Sequence, residues 1–226
     1  MLRSILPRLQ ELGIEEGIVV AYQGAMIADV KTGALLKNEG FAPEDALTVI
    51  RLLEADGHHI HVYADDRLYC NRDDELLKIY ENICGVKGEI VEGLSDMVAK
   101  KRMTVTKILA MTSPQARNEL REKLGAALGE RFFVTTSSEW LVEVMPAGQS
   151  KASAVDFLSE YYKIPHTQIA AIGDQLNDMP MIERAVGKFT VKNGEPELKV
   201  GAIVVPSNDD DGVAFAIENF AKGVRR

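Results

Sequence analysis

Two aspartates, Asp174 and Asp178, stand on either side of Asn177 in the run Ile169-Ala-Ala-Ile-Gly-Asp-Gln-Leu-Asn-Asp178. An apolar stretch that stops at Gly173 reads as a strand, and the residues from Pro180 to Ala185 read as a helix. In open α/β sheets, ligands sit at the carboxyl ends of strands. Two carboxylates placed there offer hard oxygen to a divalent cation, and the Asn177 amide can donate to a phosphate oxygen. The same residue types also make ordinary turns and helix caps, so this segment alone leaves both readings open.

Lys151 tips the balance. It opens the helix expected over 151–162, just before the strand that carries the aspartates. From there its ammonium can reach the same sheet edge and neutralise a phosphoryl group or a carboxylate.

The elements that must position these residues follow from periodicity. From 150 onward the chain alternates strictly. Strands are expected at 169–172, 189–191 and 202–205, and helices at 151–162, 180–185, around Glu197 and at 212–220. Repeating βα units imply a parallel, doubly wound sheet. The first 149 residues have a different texture. Leu2, Ile5, Leu6, Leu9 and Leu12 fall at helical spacing before Gly13, with Ser4 as the expected cap and Pro7 expected in the first turn. Strands follow at 17–22 and 26–29, a helix at 43–56, and a strand pair over 60–69 that turns at Asp65-Asp66. A helix at 73–83, a strand at 105–111, a helix starting at Ser113-Pro114 and a hairpin over 132–145 complete the region. The whole reads as an α+β region followed by an α/β region.

Composition bounds the function. Of the 226 residues, 46% are hydrophobic and 27% charged, as in ordinary globular proteins, and the net charge is −8. Such a surface repels nucleic acid and acidic membranes, so neither is an expected partner. A small anionic substrate stays open, because a bound cation inverts the local field. The two cysteines, Cys70 and Cys84, form no CxxC pair and read as free thiols. With no apolar run of membrane length and no signal-peptide pattern, the reading is cytoplasmic.

The segments Leu141-Val-Glu-Val-Met-Pro-Ala-Gly-Gln-Ser-Lys151, Ile172-Gly-Asp-Gln-Leu-Asn-Asp-Met-Pro-Met181, Lys192-Asn193 and Ser207-Asn-Asp-Asp-Asp-Gly-Val213 together resemble the Cof-type branch of the haloacid dehalogenase superfamily. Tyr22-Gln-Gly-Ala25 resembles its Asn-Gly-Ala segment, with Gln23 in place of the asparagine. The resemblance implies a Rossmann-like core over 1–27 and 148–226 and an inserted α/β cap over 28–147. It also implies a Mg²⁺-dependent phosphatase of small phosphorylated metabolites such as sugar phosphates. By resemblance, Lys151 steadies the nucleophile and the phosphoryl group, and Asp174 and Asp178 serve the metal. Asn177 and Asn193 lie at the phosphate. The implied reaction is attack by an aspartate on phosphorus, giving an aspartyl-phosphate that water hydrolyses.

The resemblance further implies an opening strand ending in Asp-x-Asp-Gly-Thr and a second ending in Ser or Thr before Gly-Arg. This sequence contains neither, a difference of about 40 residues by typical element lengths. The expectation is therefore a family core that is incomplete at its N-terminus, through a shortened gene reading or a truncated chain, with a naturally reduced protein as the rival idea, apolar sheet edges left exposed and no activity in the 226-residue chain. Rival readings are a non-catalytic phosphometabolite-binding protein and a sugar phosphomutase. Asp209-Asp-Asp-Gly-Val213 spells a similar motif, but Pro206-Ser207-Asn208 separates it from its strand, so it reads as a loop capping the last helix. His59 and His61 share a strand face, which reads as solvated rather than metal-binding for want of a third ligand. Tyr63, Tyr69 and Trp140 read as packing residues.

Overall fold

A computed structural model describes residues 1–223. The chain divides into two compact units, Met1–Ala147 and Gly148–Arg226.

The first unit begins with α1 (Leu2–Glu11), then β1 (Ile18–Ala21), β2 (Met26–Asp29) and β3 (Leu35–Asn38). It continues through α2 (Pro43–Ala55), β4 (His59–Ala64), β5 (Arg67–Cys70), α3 (Glu75–Cys84), β6 (Glu89–Ile90) and α4 (Leu94–Lys101). It ends with β7 (Val105–Met111), α5 (Arg117–Leu128), β8 (Phe132–Ser138) and β9 (Leu141–Pro146). Strands β1, β2 and β3 form one antiparallel sheet. The other six form a sheet in the order β6-β5-β4-β7-β9-β8. All its pairs are antiparallel except β5 with β6. Alternation sends Ile60, Val62, Ile108 and Val144 to one face, into a core with Val49 and Leu53 of α2 and Leu124 of α5. Tyr63, Leu109 and Leu141 go to the other, against residues of α1, β2 and α3.

Several expectations change here. Pro7 lies well inside α1, and Ser4 is not its cap; the Ser4 hydroxyl donates to the Met1 carbonyl at 2.9 Å. The cap comes from a distant turn. Asp66 accepts from the Leu2 amide through Oδ1 at 2.9 Å and from the Arg3 amide through Oδ2 at 3.0 Å. The Tyr22 hydroxyl also donates to Asp66, at 2.7 Å. Residues 1–27 belong to the first compact unit. Asp65 and Asp66 both adopt positive φ, as the tight β4–β5 turn requires. α5 starts at Arg117, because residues 114–116 are spent in a turn whose Ala116 amide donates to the Ser113 carbonyl at 3.1 Å. β3, β6 and α4 are elements without a clear periodic signal.

The histidine expectation is also corrected. His59 and His61 are buried, not solvated. His59 Nδ1 lies 2.9 Å from Asp74 Oδ2, and the two Nε2 atoms lie 2.9 Å apart, while the buried His61 Nδ1 has no protein partner. Burial and the neighbouring His59 bring the His61 pKa down to about 3. Tyr63 and Tyr69 are core residues, and Trp140 packs against the second core.

The second unit runs α6 (Lys151–Tyr162), β10 (Ala170–Gly173), α7 (Met179–Arg184), β11 (Gly187–Val191), α8 (Pro196–Lys199), β12 (Ile203–Val205) and α9 (Gly212–Ala221). The three strands pair in parallel in the order β10-β11-β12, as the βα alternation requires. Phe189 and Val191 pack on Ala216 on one side, while Ala171 packs with Ile182 and Leu198 on the other. β10 is an edge strand of the described sheet. Beside it an open apolar groove is lined by Ile172, Phe189, Ala216, Ile217 and Phe220 among others. Among the described residues, no helix is long and apolar enough to cross a membrane.

Candidate active site

The candidate site sits in the second unit, at the carboxyl end of β10. The chain leaves the strand at Gly173, passes Asp174 and Gln175, and makes one tight helical turn over Leu176–Asp178 before α7. That turn folds the Asp178 side chain back over the strand end. A Cβ on Gly173 would lie 2.2 Å from Asp178 Cβ and 2.5 Å from its Cγ, so only glycine leaves room.

Asp178 is almost fully buried, at 3% exposure. Its Oδ2 accepts from the Asp174 amide at 3.0 Å and from the Gln175 amide at 3.2 Å. Its Oδ1 takes the Lys151 ammonium in an ion pair. Lys151 is the first residue of α6, whose start is fixed by a capping box between Ser150 and Ser153. A lysine there gains nothing from the helix dipole, so the pairing with Asp178 is what holds it at the strand ends.

Asp174 differs. Its carboxyl group is exposed at the mouth of the turn. Partial desolvation and then the neighbouring Asp178 carboxylate hold its pKa above the ordinary aspartate value, with Lys151 opposing them. A cation beside Asp174 would relieve that repulsion. Asn177 is buried on the same turn, and its Oδ1 has no protein partner. Beside the exposed Asp174, the turn thus carries two side-chain carbonyls without a protein partner, those of Gln175 and Asn177. Magnesium is bound through one or two carboxylates plus waters and phosphate rather than by a protein cage. This donor set suits it in type. Among the described residues, no group of three or more His, Cys, Asp or Glu is placed to hold a metal.

The structure brings Lys151, Asp174, Asn177 and Asp178 together. Asn193, the remaining expected residue, follows β11, but its side chain is engaged. Its Nδ2 donates to Asn208 Oδ1 at 2.6 Å, and its Oδ1 accepts from the Asn208 amide at 3.3 Å. Asn193 therefore ties the loop after β11 to the loop after β12. In that second loop Ser207 donates to Asp210 at 2.6 Å and Asp211 precedes α9, so Asp209–Asp211 forms a helix-entry loop.

Two residues that the motif does not flag also shape the site. Thr190 Oγ1 donates to the Gly173 carbonyl at 2.9 Å, and the Glu195 amide donates to the Asp174 carbonyl at 2.9 Å. Gly194 lies against both, since a Cβ there would meet Thr190 Oγ1 at 2.9 Å and Asp174 Cα at 3.2 Å. A lone threonine in the apolar run Phe189-Thr-Val191 was the only hint in the sequence.

The first unit holds a separate polar cluster. Glu143, 2% exposed, accepts from Lys107 at 2.8 Å, from Ser137 at 2.6 Å and from Gln23 Nε2 at 2.6 Å. Burial pushes its pKa up, but Lys107 and these hydrogen bonds outweigh burial and leave it below the usual value.

A parallel βα sheet with a lysine and an aspartate pair at its strand ends defines a Rossmann-like α/β core. A family model described as haloacid dehalogenase-like hydrolase matches residues 1–217, and the chain belongs to that family, in its Cof-type branch. A Haemophilus influenzae protein with a provisional phosphatase name is 35% identical over 225 residues, spanning 95% of this chain and 80% of that protein. The HMP-PP phosphatase of Cronobacter sakazakii is 28% identical over 190 residues, spanning 84% of this chain and 68% of the relative. The solved structure of TM0651 from Thermotoga maritima superposes with a TM-score of 0.77 at 30% identity, over 97% of this chain and 81% of that one. The fold is thus a Rossmann-like haloacid dehalogenase core with an α/β cap, and the chain is a phosphatase-family hydrolase.

Proposed function

We propose that this protein is a cytoplasmic, Mg²⁺-dependent phosphatase of small phosphorylated metabolites, sugar phosphates included. The observation that carries the reading is Asp178. One of its oxygens fixes Lys151 and the other fixes the backbone of the Asp174 turn. In this reading Lys151 neutralises the phosphoryl oxygens, Asp174 is the direct metal ligand, and Asp178 supports the metal site by orienting both. Asn177 faces the phosphate. Asn193 acts at the phosphate site through its loop, since its own amide is taken by Asn208. When bound, magnesium supplies positive charge that stabilises the phosphoryl oxygens. Residues 1–27 and 148–226 are the proposed core and 28–147 the proposed cap that selects the substrate.

The 226-residue chain contains no Asp-x-Asp-Gly-Thr. Lys151 is paired and Asp178 saturated, so neither is an attacking group. These 226 residues by themselves are therefore proposed to be catalytically silent. The test extends the chain by the in-frame sequence upstream of Met1. An extended protein carrying that motif should hydrolyse p-nitrophenyl phosphate with Mg²⁺, and Asp174→Ala should abolish the activity. Retained activity in the variant would remove Asp174 from the metal site. If the upstream sequence encodes no such motif, the non-catalytic phosphometabolite-binding reading replaces this one. Isomerised sugar phosphate in place of free phosphate would identify a phosphomutase.

A further inference from the structure

The Asp174 turn is held from two opposite sides. Asp178 holds the amides of Asp174 and Gln175. The end of β11 and its loop hold the two carbonyls: Thr190 donates to that of Gly173, and the Glu195 amide to that of Asp174. Asp174 thus sits in a backbone whose donors and acceptors are fixed by neighbouring elements, while its carboxyl group stays exposed.

We propose that Thr190 is a positioning residue for the cation, setting through the Gly173–Asp174 peptide the direction in which the Asp174 carboxylate points. The proposal rests on the reading of Asp174 as the metal-binding carboxylate.

Three observations carry it. Thr190 is completely buried, so its hydroxyl needs a protein acceptor, and it donates to the Gly173 carbonyl. Gly173 pairs directly with Thr190 in the parallel β10–β11 ladder, so this bond locks the last rung before the chain turns to Asp174. Gly194 supplies the room: a methyl there would press on Thr190 Oγ1 from one side and on the Asp174 backbone from the other. The threonine hydroxyl and the missing side chain of Gly194 therefore act as one fitting around Asp174. A partner that orients a metal-binding group without touching the metal commonly changes metal affinity on the order of 10- to 100-fold when removed.

The experiment titrates Mg²⁺ into the 226-residue chain and follows the amide resonances of Asp174 and Gln175, with a thermal melt of every variant. Thr190→Val keeps the shape and removes the donor. It should weaken Mg²⁺ binding on the order of tenfold, and Thr190→Ser should restore binding to within about twofold of the parent. Gly194→Ala should weaken binding as well, by crowding the same turn, and it stands in for Thr190→Val should that variant melt early. A folded Thr190→Val or Gly194→Ala that binds Mg²⁺ as tightly as the parent overturns the proposal. Asp174→Asn separates the two levels. If it abolishes binding while Thr190→Val does not alter it, only the positioning role fails. If Asp174→Asn leaves binding unchanged, or the parent chain binds no Mg²⁺, the metal reading fails and takes the positioning role with it.

Discussion

Asp178 and Lys151 form an ion pair whose two members come from opposite ends of the α6–β10 unit, the turn after β10 and the start of α6. The carboxylate is buried and the lysine side chain is one-third exposed. This asymmetry sets what each substitution should do. Asp178→Ala removes the acceptor for two backbone amides as well as the charge, and should cost about 3 kcal/mol in urea unfolding. Lys151→Met leaves Asp178 its amides, and solvent screens part of the loss, so about 1 kcal/mol is expected. Equal costs would show that Asp178 is not the anchor of the turn.

Catalysis should be silent in the 226-residue chain. Removing a nucleophile from a comparable catalytic unit leaves on the order of 10³–10⁴-fold over water, which an ordinary phosphomonoester assay does not register. Turnover near 1 s⁻¹, in the usual enzyme range, that vanished in Asp209→Asn would instead assign attack to the Asp209–Asp211 loop.

Acid should weaken the first unit through Glu143. Its folded pKa lies below the ordinary glutamate value of 4.5. The unfolded chain therefore takes up its proton first as pH falls. The stabilisation from this group is fully present above about pH 4.5 and is lost as pH drops through the lower folded value. Glu143→Gln should flatten the pH dependence of urea unfolding in that window. It should also destabilise the unit at neutral pH by about 3 kcal/mol, because Lys107 is left with little solvent and no counter-charge. An unchanged acid profile would show that Glu143 does not govern it.

Asp66 should control the order of α1. It accepts from Leu2, Arg3 and the Tyr22 hydroxyl. Asp66→Ala should cost about 2 kcal/mol and speed hydrogen exchange across α1, while Tyr22→Phe should cost about 1 kcal/mol. Exchange in α1 that is unaffected by Asp66→Ala would mean that apolar packing alone holds the helix.

The groove beside β10 should make the protein sticky. Ile217 on its wall is 65% exposed, and Phe215 and Val213 on the same helix are also exposed. Exposed apolar surface next to an edge strand favours dye binding and association. Ile217→Lys should lower the fluorescence of a bound hydrophobic dye and raise the concentration at which aggregates appear in light scattering.

Much of the second unit was legible in the sequence. Its strands are short apolar runs, and its helices follow at regular distances. The βα alternation admits few topologies, and the observed parallel order β10-β11-β12 is among them. The Lys151, Asp174, Asn177 and Asp178 cluster was legible for the same reason, because the turn after β10 and the start of α6 must meet at one sheet edge. The first unit was less legible. β6 has two residues and β3 four, too few to show a period. The His59–His61 pair read as solvated because strand alternation gives a face but not what covers it.

The sequence by itself determined the local elements, the sheet class and the residues that gather at the end of β10, because these depend on periodicity and on spacing along one chain. Only the tertiary structure decided that Asp66 caps α1 from a hairpin more than sixty residues away. It also gave the Asn193 amide to Asn208 and wedged Thr190 and Gly194 against the backbone of Asp174. Those are contacts between atoms distant in sequence. Hydrogen bonding and close packing select them only after the sheet and helices have docked, and no spacing in the chain encodes them.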